Sequence, residues 1–410
     1  MSRTIVILAT LDTKGLEANY LREFIQSRGH KTTLVDMSIL NPVAAHADIS
    51  REEVARRAGK ELNQLVAAKN RDESMEVMAE GTAKVLVELY DAGKLDGVLG
   101  IGGVQGTWLS TRAMQALPIG VPKVVASATA SGDIRPFIKN KDIAILFSVA
   151  DILGGPNCVT RVTLGNAAAA VIGMVEARLS LETPKKKPLI GATAFGATTP
   201  AIMRCTQTLN KKGYEVVTFH ANGACGAAME ELIEAGVIGA VLDLTTHELV
   251  SELYPVDIYL PVRQGRLEAA AKKGIPTIYA PGGTLGFIFG GVNAIPENYR
   301  GRPTYKHNPN ICVVSLNEEE TRHVAMVAAQ RLSLSTGPVR VLVPMKGWWQ
   351  LDRPGGPLEN HEGMRIYVDT FRKHLNPRIS CKEIDAHIND PEFADEATEN
   401  LLELIKGKAK

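Results

Sequence analysis

The sequence has few cysteines and no closely spaced cysteine pair. Its 410 residues include five cysteines, an odd number, and none of them forms a C-x-x-C motif. They are widely scattered, at Cys158, Cys205, Cys225, Cys312 and Cys381. Disulfide-rich secreted domains and structural zinc sites both need cysteines in close, paired arrangements. The pattern therefore favours reduced thiols in the cytoplasm and argues against a structural zinc site.

The chain also lacks an excess of charge of either sign. Lysine and arginine together number 46, and aspartate and glutamate number 45, so the net charge is +1. No stripe of basic residues interleaved with aromatic residues appears, and such a stripe is the electrostatic signature of nucleic-acid binding. We therefore expect small molecules or proteins as partners, and no nucleic acid.

The N-terminal segment does not resemble a signal peptide. Ser2 and Arg3 lead directly into a short apolar run that is followed closely by Asp12, so the long apolar region of a signal peptide is missing. We also find no apolar run of transmembrane length in the sequence. These absences predict a cytoplasmic protein with no membrane partner.

A linker-like segment divides the chain into two halves. The stretch ETPKKKP, residues 182–188, contains two prolines and three lysines between a helical pattern and a new strand. Such composition is typical of linkers. We therefore predict an N-terminal domain at residues 1–181, a linker at 182–188 and a C-terminal domain at 189–410.

The two halves repeat the same pattern. The segment LIGATAFGATTP parallels VILATLDTKGLE, so that Ala9-Thr10 matches Ala192-Thr193, and further on Gly29-His30 matches Gly213-Tyr214. Two later pairs follow in the same order: DAGKLDGVLGIGG with EAGVIGAVLDLTT, and IGVPKVVASATASG with KGIPTIYAPGGTLG. Three matching segments in one order favour a duplicated α/β unit over a chance likeness.

Each half alternates apolar strands with helical patterns. This order predicts α/β domains in which helices cover both faces of a parallel sheet. We predict two similar Rossmann-like doubly wound domains related by internal duplication. The first half carries an extra segment, residues 50–93, with the pattern of two helices. The second half has further strands near residues 311–316, 339–344 and 378–384.

The first strand ends in the polar segment TLDTKG. Lys14 is a candidate phosphate contact, and Asp12 is a candidate ligand for a nucleotide-bound Mg²⁺ or for a hydroxyl. Thr10 and Thr13 are candidate contacts beside them. Asp36, at the end of the next strand, is a candidate ribose ligand. The alternative is that Asp12 only caps the following helix and Lys14 is only solvated.

Two further loops of this half are rich in glycine and short hydroxyl side chains. The segment GGVQGT opens a helix after one strand, and SATASG ends another strand. The candidate nucleotide contacts in these loops are Gly102, Gly103, Gly106, Thr107, Ser127, Thr129, Ser131 and Gly132. A tight strand–helix turn explains the glycine loop equally well. Three such loops at strand ends nevertheless predict an anion-binding crevice, because helix N-termini attract phosphate.

The C-terminal half has a polar cluster in the segment EIDAHIND. Alternation along a strand would place Asp385, His387 and Asn389 on one face, near the loops that follow the other parallel strands. An imidazole beside a carboxylate can transfer protons near neutral pH, so these three residues are the candidate catalytic group. The alternative is that the cluster caps the helix beginning near Pro391 and holds the C-terminal segment in place.

Six segments resemble one protein family across nearly the whole chain. They are ATLDTKG-E, LPIGVPKVVASATASG, VTLGNAAAAVIGM, FGATTP, HANGACGAAME and DAHINDPEFA. Together they resemble the Tm-one-like ATP-binding family, which includes a tomato mosaic virus resistance protein and mostly uncharacterised bacterial proteins. The resemblance implies two Rossmann-like domains, binding of ATP, with Mg²⁺, by the N-terminal one, and self-association.

Compared with that family, the sequence shows two differences, the first of which concerns the plant and fungal members. Those members continue into a barrel domain similar to phosphoenolpyruvate-utilising enzymes, which these 410 residues do not include. A separate barrel-domain protein is therefore a candidate partner. The family's glycine loop reads G-G-S-G-G-T, whereas this sequence has Val104 and Gln105 in place of Ser and Gly. This replacement predicts a changed affinity for the nucleotide or a change in its identity.

These observations predict a cytosolic ATP-binding protein that forms a homo-oligomer. It would be a nucleotide-binding protein alone, or an ATP-dependent or hydrolytic enzyme that acts on a small metabolite. A second interpretation is an enzyme that binds a phosphorylated or carboxylated metabolite in the interdomain cleft without ATP. A third is a hinged two-lobe ligand-binding module, although such modules usually accompany export.

Overall fold

The computed structural model describes residues 2–408 apart from 41–44, 69, 178 and 261. The chain divides into two units, Met1–Glu182 and Thr183–Lys410, and the division falls at the start of the proline- and lysine-rich segment. Each unit is an α/β domain with its own hydrophobic clusters.

The N-terminal domain is built around a five-stranded parallel sheet with the order β2-β1-β3-β4-β5. Its elements, in chain order, are β1 (Thr4–Ala9), α1 (Leu11–Gln26), β2 (Lys31–Asp36), α2 (Arg51–Arg57), α3 (Leu62–Ala68), α4 (Arg71–Asp91), β3 (Gly97–Gly102), α5 (Val104–Met114), β4 (Lys123–Ser127), α6 (Arg135–Ile138), β5 (Ala144–Phe147) and α7 (Cys158–Ala177). The predicted doubly wound parallel sheet is confirmed.

Successive residues of β1 pack in opposite directions, which places helices on both faces of the sheet. Ile5 and Ile7 contact the face that holds α1 and α7, whereas Val6 and Leu8 contact the face that holds α2 to α5. The chain thus leaves β1 toward one face and β3 toward the other. The carboxyl ends of these two strands form a topological switch point, where open α/β sheets bind ligands.

The extra segment at residues 50–93 contains three helices, α2, α3 and α4, and the prediction of two is wrong. Gly59 adopts a left-handed conformation with φ of 78° just after α2. Asn70 then caps α4 by accepting a hydrogen bond from the backbone N–H of Glu73. The glycine separates α2 from α3, which the apolar pattern predicted as one helix, and Asn70 marks the start of the second predicted helix.

Helix α7 corrects another expectation. Among the helices in the described ranges, α7 alone is long and apolar enough to cross a membrane by length and composition. The prediction that no apolar run reaches this length is therefore wrong. Leu164, Ala168 and Val171 of α7 pack against the sheet, and core helices of α/β domains have the same apolar composition.

The C-terminal domain contains a six-stranded parallel sheet and a smaller antiparallel sheet. Its elements, in chain order, are β6 (Leu189–Ala194), α8 (Thr199–Lys211), β7 (Val216–His220), α9 (Gly223–Glu234), β8 (Ile238–Thr245), α10 (His247–Leu253), α11 (Glu268–Lys273), β9 (Thr277–Gly282), β10 (Gly286–Phe289), β11 (Thr304–Asn308), β12 (Ile311–Ser315), α12 (Glu318–Ser333), β13 (Val339–Pro344), α13 (His361–His374), β14 (Ser380–Ile384) and α14 (Pro391–Lys408). Short 3₁₀ turns lie at Gly196–Thr198, Val292–Ala294 and Glu297–Tyr299.

The parallel sheet repeats the topology of the N-terminal domain. Its order, β7-β6-β8-β9-β13-β14, is the N-terminal order with one strand added. Helices α8 and α14 share one face of this sheet, as α1 and α7 share one face of the other. β1 ends at Ala9 and β6 ends at Ala194. The predicted match of Ala9 with Ala192 is therefore out of register by two residues, although the duplication itself is present.

The strand predicted near residues 311–316 exists as β12, but it lies outside the parallel sheet. It pairs with β10 and β11 in an antiparallel sheet of order β10-β12-β11. Only Pro309 and Asn310 separate β11 from β12. So short a connection permits antiparallel pairing and excludes a parallel crossover.

Candidate functional site

The turn after β1 is more helical than the sequence suggests. α1 begins at Leu11, so most of the segment predicted as a loop is its first turn. The helix is irregular at Lys14, which has φ of −123° and ψ of 18°. Thr10 and Lys14 are buried, Asp12 is half-buried and Thr13 is exposed. The carboxyl edge of β1 therefore carries a lysine whose side chain is mostly buried, beside the more accessible Asp12 and Thr13.

Lys14 is a buried lysine without a partner in the part of the chain that the structure describes. The residue is 8% exposed, and no hydrogen bond or ion pair joins its ammonium group to another described residue. Lys123 is also buried, but its ammonium group donates to the backbone oxygens of Pro118 and Val121 and to Asp142. A lysine ammonium group without a counter-charge in the fold is suited to a charge-assisted hydrogen bond with an anion from outside the chain.

Asp36 is engaged in the fold. Its Oδ1 accepts hydrogen bonds from the backbone N–H groups of Leu11, at 3.1 Å, and Ser38, at 2.9 Å. Burial raises the pKa of this carboxyl group, and the hydrogen bonds from Ser38 and Leu11 counteract that rise only in part. These contacts tie the end of β2 to the first amide of α1. They favour a structural role for Asp36 over the predicted contact with a ribose.

At two positions of the loop between β3 and α5, neighbouring backbone lies so close that a side chain would not fit. A Cβ atom on Gly102 would lie 2.6 Å from the Cα of Gly106, and one on Gly106 would lie 2.8 Å from the oxygen of Ile101. This supports the alternative of a tight strand–helix turn for these two residues. Gly103 has open space around it and is the N-cap of α5, and no side chain in the described part of the chain caps the first amides of this helix. Those amides remain suited to an anion.

The loop after β4 is partly internal. Thr107 Oγ1 donates to Ser127 Oγ at 2.8 Å, and both side chains are fully buried. Thr129 is half-buried and lies 3.1 Å from Ser127 through their hydroxyl oxygens. Ser131 and Gly132 are exposed. Thr107 and Ser127 therefore join β4 to α5, and only the outer residues of the loop can meet a ligand.

A cleft opens beside the β1–α1 turn. It has a volume of about 820 Å³, and Asp12, Thr13 and Arg51 are among the residues that line it. An adjoining apolar pocket of about 230 Å³ shares Ile39, Leu40 and Val66 with it. Their size is in the range of small-molecule sites. Asp12 and Thr13, two of the predicted nucleotide contacts, therefore face space large enough for a nucleotide.

The pocket reaches the glycine loop through a contact that the sequence did not reveal. Gln105 lines the apolar pocket and accepts a hydrogen bond of 2.7 Å from Nη2 of Arg71 at the start of α4. Arg51, in the cleft wall, donates to the backbone oxygen of Leu40 and pairs with Glu52. Neither arginine lies in a motif, so no local sequence signal pointed to them.

The candidate catalytic group of the C-terminal domain does not share a face. β14 ends at Ile384, and residues 385–390 form a turn, so strand alternation does not extend to them. The prediction of one face for Asp385, His387 and Asn389 is therefore wrong. Asp385 is exposed and pairs with Lys346 at 3.0 Å, whereas His387 is 2% exposed.

His387 and Asn389 instead hold neighbouring backbone in place. His387 Nε2 donates to the oxygen of Trp349 at 2.9 Å, and its Nδ1 accepts from the N–H of Asn389 at 3.1 Å. Burial lowers the pKa of the His387 imidazole, which favours the neutral ring that these bonds require. Asn389 Nδ2 donates to the oxygen of Ala197 at 2.9 Å. These contacts favour the structural alternative for the cluster.

A pocket of about 430 Å³ in the C-terminal domain lies next to the backbone segments that His387 and Asn389 hold in place. Phe195, His220, Tyr259 and Trp349 are among the residues that line it. No local sequence pattern pointed to Tyr259 or Trp349 as wall residues. Tyr259 and Trp349 are far from β6 and β7 in sequence, so only the folded chain brings them together.

A cluster of charged side chains is buried in the C-terminal domain and includes a residue of α10. Arg266 donates to Glu230 and to Asp243, each at 2.9 Å, and all three side chains are about 2% exposed. Glu248, the residue after His247, lies 3.7 Å from Nε of Arg266, and neither of its carboxyl oxygens has a hydrogen-bond partner in the part of the chain described. Burial raises the pKa of Glu248 to about 7; the charge of Arg266 opposes this rise, and the charge of Asp243 adds to it.

The fold thus defines a two-domain α/β protein with a duplicated doubly wound architecture. Residues 3–180 match the N-terminal domain of the uncharacterised protein family UPF0261, and residues 187–405 match the C-terminal domain of that family. The chain belongs to the UPF0261 family.

Relatives cover the chain almost completely. A UPF0261 protein of Clostridium tetani is 36% identical, and the match covers 99% of this chain and 100% of that protein. A UPF0261 protein of Rhizobium meliloti is 34% identical, over 96% of this chain and 97% of that protein. The ToMV resistance protein Tm-1(GCR237) of Solanum lycopersicum is 32% identical, over 98% of this chain and 56% of that protein. The resemblance predicted from the six sequence segments is confirmed.

Likeness to solved structures is weak. A putative UDP-N-acetylglucosamine 2-epimerase from Listeria monocytogenes is 10% identical with a TM-score of 0.23, over 68% of this chain and 78% of that one. The MnaA–UDP structure from S. aureus is 12% identical with a TM-score of 0.19, over 68% and 79% of the two chains. At these TM-scores the likeness carries no inference about a ligand or an activity.

Proposed function

We propose that the N-terminal domain binds ATP with Mg²⁺ at the carboxyl edge of β1 and β3. The observation that carries this proposal is Lys14, a buried lysine with no partner in the described part of the chain. Its place at the turn after β1, beside the switch point of the sheet, is where doubly wound domains receive anionic ligands. A phosphate group would supply the counter-charge that Lys14 lacks.

Other features of this edge fit a nucleotide. The first amides of α5 carry the partial positive charge of a helix N-terminus, and no side chain among the described residues caps them. Asp12 lies in the wall of the cleft and would provide a carboxylate to a Mg²⁺ that the phosphates already hold. The adjoining apolar pocket, with Leu65 and Val66 in its wall, would receive the base. The resemblance to the Tm-one-like ATP-binding family supports the same assignment.

Substitution of Lys14 by alanine should weaken the binding of ATP–Mg²⁺ by about 10- to 100-fold, because a charge-assisted contact with phosphate is lost. Calorimetry on the full chain measures this affinity. Lys31→Ala is the matched control, since Lys31 is exposed and begins β2 at the opposite edge of the sheet. The melting temperature of Lys14→Ala without ligand should not fall, because the removed charge has no partner among the described residues.

The same calorimetry distinguishes two ligands for this site, ATP and a small anionic metabolite. Sugar phosphates and small carboxylic acids are titrated in parallel experiments with ATP–Mg²⁺. Binding of one of them in place of ATP, with the same loss in Lys14→Ala, would replace the nucleotide by a small anionic metabolite. An equal affinity for ATP in Lys14→Ala and Lys31→Ala would contradict the proposed contact.

We also propose that the chain self-associates through the outer face of α7. Val159, Val162 and Met174 are exposed on this helix, and apolar faces of this kind often mark contacts between subunits. Light scattering on the full chain should give a multiple of 44.2 kDa at micromolar concentration. Val162→Glu should shift the mass toward the monomer, whereas Leu334→Glu, at an exposed leucine of the C-terminal domain, should not. A monomeric mass for the unaltered chain would contradict this proposal.

A further inference from the structure

The C-terminal domain has a pocket at the position that corresponds to the N-terminal cleft. Phe195 and Gly196 follow β6, and His220 ends β7, so the carboxyl edge of the second parallel sheet forms part of its wall. The antiparallel sheet contributes Tyr305 and Val313 from β11 and β12. The duplicated topology thus places a second cavity at a site where α/β sheets bind ligands.

Rings dominate the wall of this pocket. The ring centroid of Phe195 lies 5.1 Å from that of His220 and 5.7 Å from that of Tyr259. Tyr305 and His307 face each other at 6.2 Å on the antiparallel sheet, and both line the pocket. Such ring surfaces bind planar rings by offset stacking or edge-to-face contact.

The polar side chains of the wall include the imidazoles of His220 and His307, the hydroxyl groups of Tyr259 and Tyr305, and the carboxamide of Gln350. Among the described residues, its lining includes no aspartate, glutamate, lysine or arginine. Burial and the neighbouring His247 lower the pKa of His220, so this imidazole is neutral at neutral pH. A neutral imidazole presents one hydrogen-bond acceptor and one donor, and His220 has no hydrogen-bond partner in the described part of the chain.

We propose that this pocket binds a small molecule with an uncharged, planar heteroaromatic ring, and that His220 exchanges a hydrogen bond with the edge of that ring. The volume of about 430 Å³ is sufficient for one such ring with its substituents. A sugar is the competing class of ligand, because its hydroxyl groups could bond to the polar side chains of the wall, but it lacks the planar ring that stacks on the aromatic side chains.

Hydrogen bonds from residues near α14 fix the segments that form the wall of this pocket. The carbonyl oxygen of Trp349 accepts a hydrogen bond from His387, and that of Ala197 accepts one from Asn389 and one from the N–H of Gln350. His387 and Asn389 are therefore positioning residues for this pocket. A wall fixed by buried hydrogen bonds keeps its shape without a ligand, which reduces the entropic cost of binding.

Ligand-detected NMR on the full chain tests the proposal with nicotinamide, uracil and indole as planar probes and methyl glucoside as the sugar probe. At least one planar probe should bind with a dissociation constant below about 1 mM, in the range expected for a fragment. Tyr305→Ala and His220→Ala should each weaken it by about tenfold. His361→Ala, at an exposed histidine outside the pocket, is the matched control.

Binding of the planar probe should be unchanged in Lys14→Ala, which separates this pocket from the proposed nucleotide site. Melting temperatures of Tyr305→Ala and His220→Ala confirm that the variants are folded. The proposal is overturned if no planar probe binds at 5 mM, a concentration about fivefold above the expected dissociation constant. It is also overturned if methyl glucoside binds more tightly than every planar probe, or if both folded variants bind as well as His361→Ala.

Discussion

Replacement of Arg266 by leucine will lower the free energy of unfolding by about 3–5 kcal/mol, because it leaves buried carboxylates without their counter-charge. The guanidinium group of Arg266 is the shared partner of Glu230 and Asp243, and it is the nearest cation to Glu248. All these side chains are almost fully buried. Urea denaturation of the full chain, followed by a signal from the C-terminal domain, measures the loss.

Arg263→Ala is the matched control for this prediction. Arg263 pairs with Glu234 at the surface of the same domain, and both side chains are more than a third exposed. Exposed ion pairs contribute about 0–1 kcal/mol, so this variant should unfold close to the unaltered chain. If Arg266→Leu were as stable as Arg263→Ala, the buried cluster would not hold the C-terminal domain together as described.

The second large effect concerns Glu248 and pH. Its pKa is raised by burial from 4.5 to about 7 in the folded chain. As pH rises above 4.5, the unfolded chain loses the proton of Glu248 while the folded chain still keeps it. The stabilising contribution of the protonated group is therefore complete below about pH 4.5 and is lost as pH rises through about 7.

Glu248→Gln cannot titrate and should remove this part of the pH dependence. Between pH 4.5 and pH 8, the stability of Glu248→Gln relative to the unaltered chain should rise by about 3 kcal/mol. Denaturant titrations at the two pH values measure the change. Glu234→Gln, at an exposed glutamate of the same domain, should show no such difference. A constant gap between Glu248→Gln and the unaltered chain would mean that Glu248 titrates normally in the folded state.

The alternation of strands and helices could be predicted because it depends on local patterns. Three elements begin where apolar runs and turn residues indicated them. They are β3 at Gly97, β13 at Val339 and α14 at Pro391. The duplication could also be predicted, because each parallel strand and its following turn repeat in the same order. The pairing of β12 could not, since its apolar pattern alone suits either a parallel or an antiparallel sheet.

The candidate sites were harder to predict because their contacts are long-range. Asp36 looked like a ribose ligand from its place at the end of a strand, and only the fold shows its bond to Leu11. His387 was identified as a reactive histidine, but the Trp349 oxygen that occupies its Nε2 lies 38 residues away. Arg266 lies in no motif at all. Lys14, by contrast, was identified from its strand-end position, and the structure adds that it is buried.

The most direct test of the central claim is a crystal structure of the full chain with Mg²⁺ and a non-hydrolysable ATP analogue. The account predicts a phosphate oxygen at about 3 Å from the Nζ of Lys14, with other phosphate oxygens at the first amides of α5 and the base in the pocket that Leu65 and Val66 line. An analogue that binds elsewhere and leaves Lys14 without a phosphate contact would contradict it.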